Sequence, residues 1–224
     1  MRYYPVSLDI NCRACVVVGG GAVAIRKVNS LLKAGALVTV ITPEAAKGLI
    51  ALAIKGKINL IKRGYKKGDL KGAYLVVSAT GEQATNKAVF EEAKKRNALI
   101  NVVDAPDLCT FIVPSVVDKG SLTIAVSTSG KSPLFAKALR EELEKKFGRE
   151  YAVFTELLGA VRSKLLKEGL DYDKKERVIN RLIKSPVLGF LKRGDTCAVE
   201  KFLNVIFGKG VTLKKLGVSV KGKA

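Results

Sequence analysis

The sequence contains no histidine, no tryptophan and only one methionine in 224 residues. The lack of histidine excludes Ser-His-Asp and Cys-His nucleophilic centres, and it removes the commonest transition-metal ligand. Acid–base chemistry must therefore come from Asp, Glu, Lys, Tyr or Cys. No apolar run approaches the ~18 residues of a membrane span, and residues 1–7 lack the apolar region of a signal peptide. We therefore expect a cytoplasmic protein without a membrane segment.

Cysteine is also scarce, at positions 12, 15, 109 and 197. Cys12 and Cys15 have the spacing of a metal or redox pair, but no second cysteine pair and no histidine completes a zinc site. The sequence therefore predicts reduced, partly buried thiols and no bound metal.

Acidic residues are few relative to basic ones, at 20 against 40, and the net charge is +20. A charge of this size favours polyanionic partners. Nucleic acid is one such partner, but aromatics make up only 6% and no nucleic-acid-binding motif is present. A small polycarboxylate substrate fits equally well, as does a lysine-rich surface with no partner.

The most informative stretch present is a glycine turn near the N-terminus. An apolar run at residues 15–18 ends at Gly19-Gly20-Gly21, and apolar residues then recur at helical spacing to residue 34. Gly19-x-Gly21-x-x-Ala24 matches the dinucleotide fingerprint, in which the glycines permit a tight turn and close approach of a pyrophosphate. The alternative is a tight strand–helix turn that binds nothing.

Strands and helices alternate regularly as far as residue 103. Strands are predicted at 37–41, 58–61, 75–79 and 99–103, with helices at 45–55 and 85–96 between them. This alternation predicts a doubly wound parallel sheet, a Rossmann-type NAD-binding domain over residues 1–113. Ala79, Thr80 and Gly81 end one strand and should lie near the cofactor. The second strand ends in Thr42-Pro43-Glu44 with no nearby arginine for a 2′-phosphate, which favours NAD over NADP.

The pattern changes after residue 110. Two β runs at 111–118 and 122–127 predict an antiparallel hairpin, and Ser132-Pro133 predicts the start of a helix that ends near residue 147. This small element, residues 114–147, cannot bury both of its faces, so we expect a homodimer. Residues 148–224 predict a helical domain, with helices at 151–167, 173–184 and 196–207. A loosely ordered basic tail is expected from residue 208.

Asp104 is the best acid–base candidate, because it follows a strand at the edge where a nicotinamide would lie. Asp107 is close enough in sequence to share this task. The alternative, weighed equally, is that Asp104 caps a turn and has no catalytic role. The loop Thr128-Ser129-Gly130-Lys131 lacks the first glycine of a P-loop, but its hydroxyls and lysine suit substrate carboxylates.

Four motifs occur in an order that resembles a known family. They are VVVGGGAVAIRK (residues 16–27), NVVDAP (101–106), FIVPS (111–115) and STSGKSP (127–133). Together they look like the precorrin-2 dehydrogenase family, the N-terminal module of siroheme synthases. The resemblance covers residues 1 to about 147.

The resemblance implies NAD-dependent oxidation of precorrin-2 to sirohydrochlorin. It implies that Asp104 is catalytic, that Ala22-Val23 and Pro43-Glu44 contact NAD, and that residues 114–147 form an interlocked homodimer. Some members also insert ferrous iron, for which Asp104 or another carboxylate would have to accept the pyrrole protons. The competing hypothesis is a regulatory Rossmann module that binds NAD without catalysis, and such a sensor would not need Asp104.

Overall fold

The computed structural model describes residues 3–169 and 171–220. The chain divides into two units, Met1–Val113 and Pro114–Ala224. The predicted division of the second part into a dimerisation element and a helical domain stays a prediction. Within the described ranges, no helix has the length and hydropathy needed to span a bilayer.

A parallel sheet forms the centre of the first unit. Its order is β3-β2-β1-β4-β5 in the described part of the chain. The strands are β1 (Ala14–Val18), β2 (Leu37–Ile41), β3 (Ile58–Ile61), β4 (Leu75–Ser78) and β5 (Leu99–Val102). Strand β1 is central, and Val16 pairs with Thr39 on one side and Val76 on the other. Consecutive apolar residues in β1 and β4 are buried, as expected where helices cover both faces of a parallel sheet.

Helices cover both faces of this sheet. They are α1 (Ala22–Lys33), α2 (Lys47–Ile54) and α3 (Gln83–Lys95). Because side chains alternate along a strand, Val17 joins a core with Val28 of α1, whereas Val16 joins a second core with Val89 of α3. The predicted Rossmann-type α/β fold is confirmed. Its topology brings the carboxyl ends of β1, β2 and β4 to one edge, where a ligand crevice forms.

The second unit begins with the predicted hairpin, but its first strand starts at Ser115 and not at Phe111. Strands β6 (Ser115–Lys119) and β7 (Leu122–Val126) are antiparallel, with Gly120 in the left-handed region at the turn. The helices that follow are α4 (Pro133–Lys146), α5 (Arg149–Lys167), α6 (Tyr172–Ile183), α7 (Val187–Lys192) and α8 (Thr196–Phe207). Helix α4 starts where predicted, because the Ser132 hydroxyl accepts a hydrogen bond from the Phe135 amide at 3.3 Å. Leu157, Val161, Leu182 and Leu203 form the centre of the helical core.

Two features of the second unit differ from expectation. Helix α7 was not predicted, since it has only six residues and follows Pro186. The expected loose tail is wrong for residues 208–220, where Leu213 and Val218 are buried in the helical core. Hydrogen bonds from the Leu213 amide to Glu200 and from the Val211 amide to Asn204 fix this segment to α8. The rest of the predicted tail, 221–224, lies outside the described residues.

Candidate cofactor and active site

A cleft of about 580 Å³ opens at the carboxyl ends of the parallel strands of the first unit. The residues that follow β1, β2 and β4 line it, and they include the predicted Gly19, Gly21, Thr42, Pro43, Glu44, Ala79 and Thr80. Ala22 and Val23 do not line the cleft but are the first two residues of α1, directly after Gly21. The structure thus brings the predicted cofactor-binding residues together. Their contact with a cofactor stays a prediction.

The glycine turn leaves room for a phosphate group. Gly19 has a φ of 122°, and a Cβ there would overlap the carbonyl oxygen of Ala79. By contrast, a Cβ on Gly21 would meet no atom within 4 Å and would project into open space. Helix α1 has no side-chain cap and no acidic residue in its first turn. Its first amide groups are therefore available to an anion, and the turn fits the pyrophosphate of a dinucleotide.

The glycine turn forms the first wall of the cleft, and internal hydrogen bonds hold the second wall, which follows β2. Thr42 is only 4% exposed, and its hydroxyl donates to the Glu44 carbonyl oxygen at 2.7 Å. The Ala46 amide donates to the Gly20 carbonyl oxygen at 3.0 Å, which ties this loop to the glycine turn. The Glu44 side chain is exposed at the rim. It is the carboxylate that could meet the ribose hydroxyls, so the preference for NAD over NADP stays a prediction.

A buried polar pair fixes the third wall, after β4. The Ser78 hydroxyl donates to the Asn86 side chain at 2.6 Å, and the Asn86 amide donates to the Thr80 carbonyl oxygen at 3.1 Å. Ser78 and Asn86 are both buried, so these bonds are protected from water. The conformation of Ala79 and Thr80 is therefore set by the protein before any ligand binds.

Sequence reasoning missed the fourth wall, formed by Gly64 and Tyr65 after β3. Glu92 of α3 holds this loop and is only 7% exposed. Its carboxylate accepts hydrogen bonds from the Tyr65 hydroxyl, the Gly68 amide (2.8 Å), the Leu70 amide (3.3 Å) and Arg96 Nε (2.7 Å). We call Glu92 and these four donors the Glu92 clamp. A glutamate on the apolar side of a helix was the only signal that could have revealed it.

The pKa values within the clamp follow from this geometry. Burial raises the pKa of Glu92, but the hydrogen bonds from Tyr65, Gly68, Arg96 and Leu70 outweigh burial and hold that pKa below its ordinary value. Burial, together with the hydrogen bond to Glu92, raises the pKa of the Tyr65 hydroxyl. At neutral pH Glu92 is therefore negatively charged and the Tyr65 hydroxyl keeps its proton, as the hydrogen bonds of the clamp require.

Asp104 lies two residues beyond β5, on the exposed surface of the first unit. Its φ of 59° is left-handed, a conformation that Asp tolerates better than most residues. The Cys109 thiol lies 3.3 Å from the Val102 carbonyl oxygen and 3.2 Å from that of Ala105, so it spans the turn that carries Asp104. The Val103 amide donates to the Ser78 carbonyl oxygen at 2.9 Å, which fixes this turn beside the end of β4. Asp104 is not among the residues that line the cleft.

The predicted substrate loop, Thr128 to Lys131, belongs to the second unit. The Thr128 hydroxyl accepts a hydrogen bond from the Ser132 amide at 3.1 Å, and the Lys131 amide donates to the Thr128 carbonyl oxygen at 3.0 Å. Ser129 and Gly130 both have left-handed φ values. Ser129, Gly130 and Lys131 are exposed, so their polar groups are accessible to solvent. A role in substrate binding stays a prediction.

Comparison with known proteins identifies the family. Residues 6–115 match a family model described as putative NAD(P)-binding, and residues 119–146 match one described as sirohaem biosynthesis protein central. A siroheme synthase of Thioalkalivibrio sulfidiphilus is 36% identical over 220 residues, which are 98% of this chain and 45% of the relative. The chain belongs to the siroheme synthase N-terminal module family. The resemblance drawn from the four sequence motifs is thereby confirmed, and so is a cofactor of the NAD(P) type.

Two further similarities show how much of this chain and of its relatives is matched. The siroheme synthase of Ruthia magnifica is 42% identical over 165 residues, which are 74% of this chain and 35% of the relative. A solved structure of SirC, precorrin-2 dehydrogenase, superposes with a TM-score of 0.75 at 28% identity, over 89% of this chain and 100% of that chain. The chain thus spans less than half the length of the two siroheme synthases.

Proposed function

We propose that the protein is an NAD-dependent precorrin-2 dehydrogenase that forms sirohydrochlorin. The observation that carries this proposal is the similarity to SirC over the whole of that chain. Unlike the siroheme synthases, which are more than twice as long as the matched part, SirC is matched from end to end. The cleft with its glycine turn supports the cofactor half of the proposal.

The proposed reaction removes two hydrogens from the substrate. NAD, when bound, accepts one of them as a hydride, and the other leaves as a proton to a base. Asp104 is the base that we propose, because its carboxylate is exposed and its turn is fixed beside the end of β4. The Cys109 thiol supports that turn, so the carboxylate is held in place by the backbone.

The charge of the chain supports a polycarboxylate substrate. Precorrin-2 carries acetate and propionate groups around its ring, and a net charge of +20 attracts such a molecule at long range. We propose that Thr128, Ser129, Gly130 and Lys131 bind some of these carboxylates, since a lysine and hydroxyls suit them. A cytoplasmic location belongs to the same proposal.

A homodimer is also part of the proposal. On the second unit, Leu134 and Phe135 of α4 are 80% and 57% exposed, and Val116 of β6 is 40% exposed. Helix α4 packs on β6, and exposed apolar side chains on neighbouring elements are typical of interfaces between subunits. Light scattering tests this directly, because a stable monomer at micromolar concentration would contradict it.

Iron insertion is the second candidate activity, favoured by the name siroheme synthase that the relatives carry. Ferrous iron would then be a substrate. Among residues 3–169 and 171–220, no group of three or more Cys, Asp or Glu side chains could hold a metal ion. In this case the tetrapyrrole nitrogens themselves would supply the ligands, and Asp104 would accept their protons.

An anaerobic assay separates these activities. Precorrin-2 is mixed with NAD, NADH formation is followed by absorbance, and ferrous or cobaltous ion is then added. We expect NADH and sirohydrochlorin in the first stage. Metal insertion in the second stage would add the chelatase activity, and its absence would limit the protein to dehydrogenation.

Variants at Asp104 separate a dehydrogenase from an NAD sensor. Asp104→Asn removes the charge but tolerates the left-handed φ, whereas Asp104→Ala also adds backbone strain. We expect Asp104→Asn to lose at least about 100-fold in NADH formation, because general-base catalysis contributes that much, while NAD affinity stays within a few-fold. Full activity of Asp104→Asn would exclude Asp104 as the base. No NADH formation by the wild type, with NAD still bound, would favour the sensor.

A further inference from the structure

Lys27 is a charged side chain at the border of the buried face of α1. It lies three residues after Ala24 and four before Leu31, both of which are buried. Lys27 itself is half-buried. Within residues 3–169 and 171–220, its ammonium group makes no hydrogen bond and no ion pair within 4.0 Å. A cation that is partly removed from water without a paired group carries an uncompensated cost.

The groups that act electrostatically on Lys27 are Arg26, Cys109 and Asp104. Burial lowers the pKa of Lys27, and the charge of Arg26 lowers it further, whereas Cys109 and Asp104 act in the opposite direction. Val103, the residue before Asp104, packs against the same core as Val28, the residue after Lys27. The Asp104 turn and Lys27 therefore lie on the same side of the sheet. The two charges nevertheless stay beyond the 4.0 Å of an ion pair.

The protein holds the Asp104 side of this gap in place. The Cys109 thiol contacts the backbone on both sides of Asp104, and the Asn101 amide donates to the Phe111 carbonyl oxygen at 3.1 Å. These bonds keep the turn from relaxing toward the lysine. An ammonium group and a carboxylate therefore lie on the same side of the sheet without forming an ion pair.

We propose that Lys27 is a substrate-binding residue, whose ammonium group binds a side-chain carboxylate of the tetrapyrrole and so holds the macrocycle against Asp104. This inference rests on the proposed function and names a second recognition point for the same substrate. A substrate carboxylate would supply the partner that Lys27 lacks in the described structure. A hydrogen bond between two charged groups is worth about a tenfold change in affinity or more.

The competing explanation is packing alone. A lysine stem often covers apolar surface while its charge stays in water. Lys27→Met keeps the length and apolar stem of the side chain and removes the charge, so packing alone predicts full function for this variant. Lys27→Arg keeps a positive charge. Arg26→Met is the matched control, because it removes one positive charge from an exposed neighbouring position of the same helix.

The experiment titrates each full-length variant with sirohydrochlorin under anaerobic conditions and follows the change in its absorbance. KM values for precorrin-2 and for NAD are measured in parallel. We expect Lys27→Met to weaken sirohydrochlorin binding and raise the KM for precorrin-2 by about tenfold or more, with the KM for NAD within twofold. Lys27→Arg should recover most of the affinity, and Arg26→Met should stay within twofold of the wild type. The unfolding midpoint of Lys27→Met should equal or exceed that of the wild type, because an unpaired half-buried charge is removed.

Three results would overturn the inference. These are unchanged sirohydrochlorin affinity in Lys27→Met, an equal loss in Arg26→Met, and a wild type that binds no sirohydrochlorin. A lower unfolding midpoint with an equal loss of NAD binding would instead make Lys27 structural. If the wild type binds sirohydrochlorin but forms no NADH, the proposed dehydrogenase function fails. The affinities of the Lys27 variants would still decide the binding role.

Discussion

The Glu92 clamp provides the most direct test of how the cofactor cleft is built. Glu92→Gln keeps the shape of the side chain but turns one acceptor oxygen into an NH₂ donor. In the wild type, Oε2 accepts from Tyr65 and Gly68, and Oε1 accepts from Leu70 and Arg96. Whichever way the new amide is oriented, one backbone amide and one side-chain donor lose their acceptor.

The magnitude follows from these two lost bonds. A buried donor without an acceptor costs about 1–3 kcal/mol. The side-chain donor of each pair costs less, because the Tyr65 hydroxyl can rotate and Arg96 is 35% exposed to water. We therefore expect Glu92→Gln to lower the free energy of unfolding of the first unit by about 3 kcal/mol.

Urea denaturation followed by circular dichroism measures this loss, with Glu91→Gln as the control. Glu91 is the exposed neighbour of Glu92 on the same helix, and its variant should unfold like the wild type. Hydrogen exchange at one of the two backbone amides, Gly68 or Leu70, should accelerate in Glu92→Gln and not in Glu91→Gln. The KM for NAD should also rise, because Gly64 and Tyr65 line the cleft. An unchanged midpoint together with unchanged amide exchange would refute the clamp as the support of this wall.

Further predictions concern pH, the glycine turn and a helix cap. The pKa of Glu92 lies below its ordinary 4.5 in the folded state. The stability that the charged Glu92 carboxylate contributes is therefore complete above about pH 5 and is lost as the pH falls through the folded-state pKa. In thermal unfolding, the difference in midpoint between the wild type and Glu92→Gln should disappear at low pH. Gly19→Ala should cost at least about 2 kcal/mol in urea denaturation, because its φ is 122°. Gly21→Ala should unfold normally but bind NAD about tenfold more weakly in a titration, since its methyl group would enter the cleft. Asp195→Ala should lose about 1 kcal/mol of stability, because the Asp195 carboxylate caps α8 through the Ala198 amide at 2.9 Å; an unchanged unfolding midpoint would exclude that role.

Local patterns were sufficient to predict most of the first unit. The apolar runs that end before Gly19 and before Thr80 are patterns of only a few residues each. They were sufficient to predict both the ends of the strands and the parallel sheet. The position of Asp104 at a strand tip could be predicted for the same reason. Its left-handed φ could not, because the local pattern does not show that the Cys109 thiol contacts the Ala105 carbonyl oxygen across this turn.

Long-range contacts explain what sequence reasoning missed. Tyr65 and Glu92 are 27 residues apart, and nothing in either local pattern indicates that they meet. The segment 208–220 is rich in glycine and lysine, which is typical of a loose tail. Leu213 and Val218 are nevertheless buried in the helical core, and Val211, Leu216 and Val220 pack against it, so the segment is docked.

The docking of residues 208–220 has a consequence for synthesis of the chain. The parallel sheet and its helices are complete by Val113, so the first unit can fold while the second is still being made. The helical core of the second unit, by contrast, includes Leu213 and Val218, which the ribosome adds a hundred residues or more after Val113. Until then, part of the surface of Leu203 and of the other apolar residues in this core stays exposed to water. The second unit should therefore be the later one to fold, and its nascent helices are the part of this protein most exposed to chaperones and to aggregation.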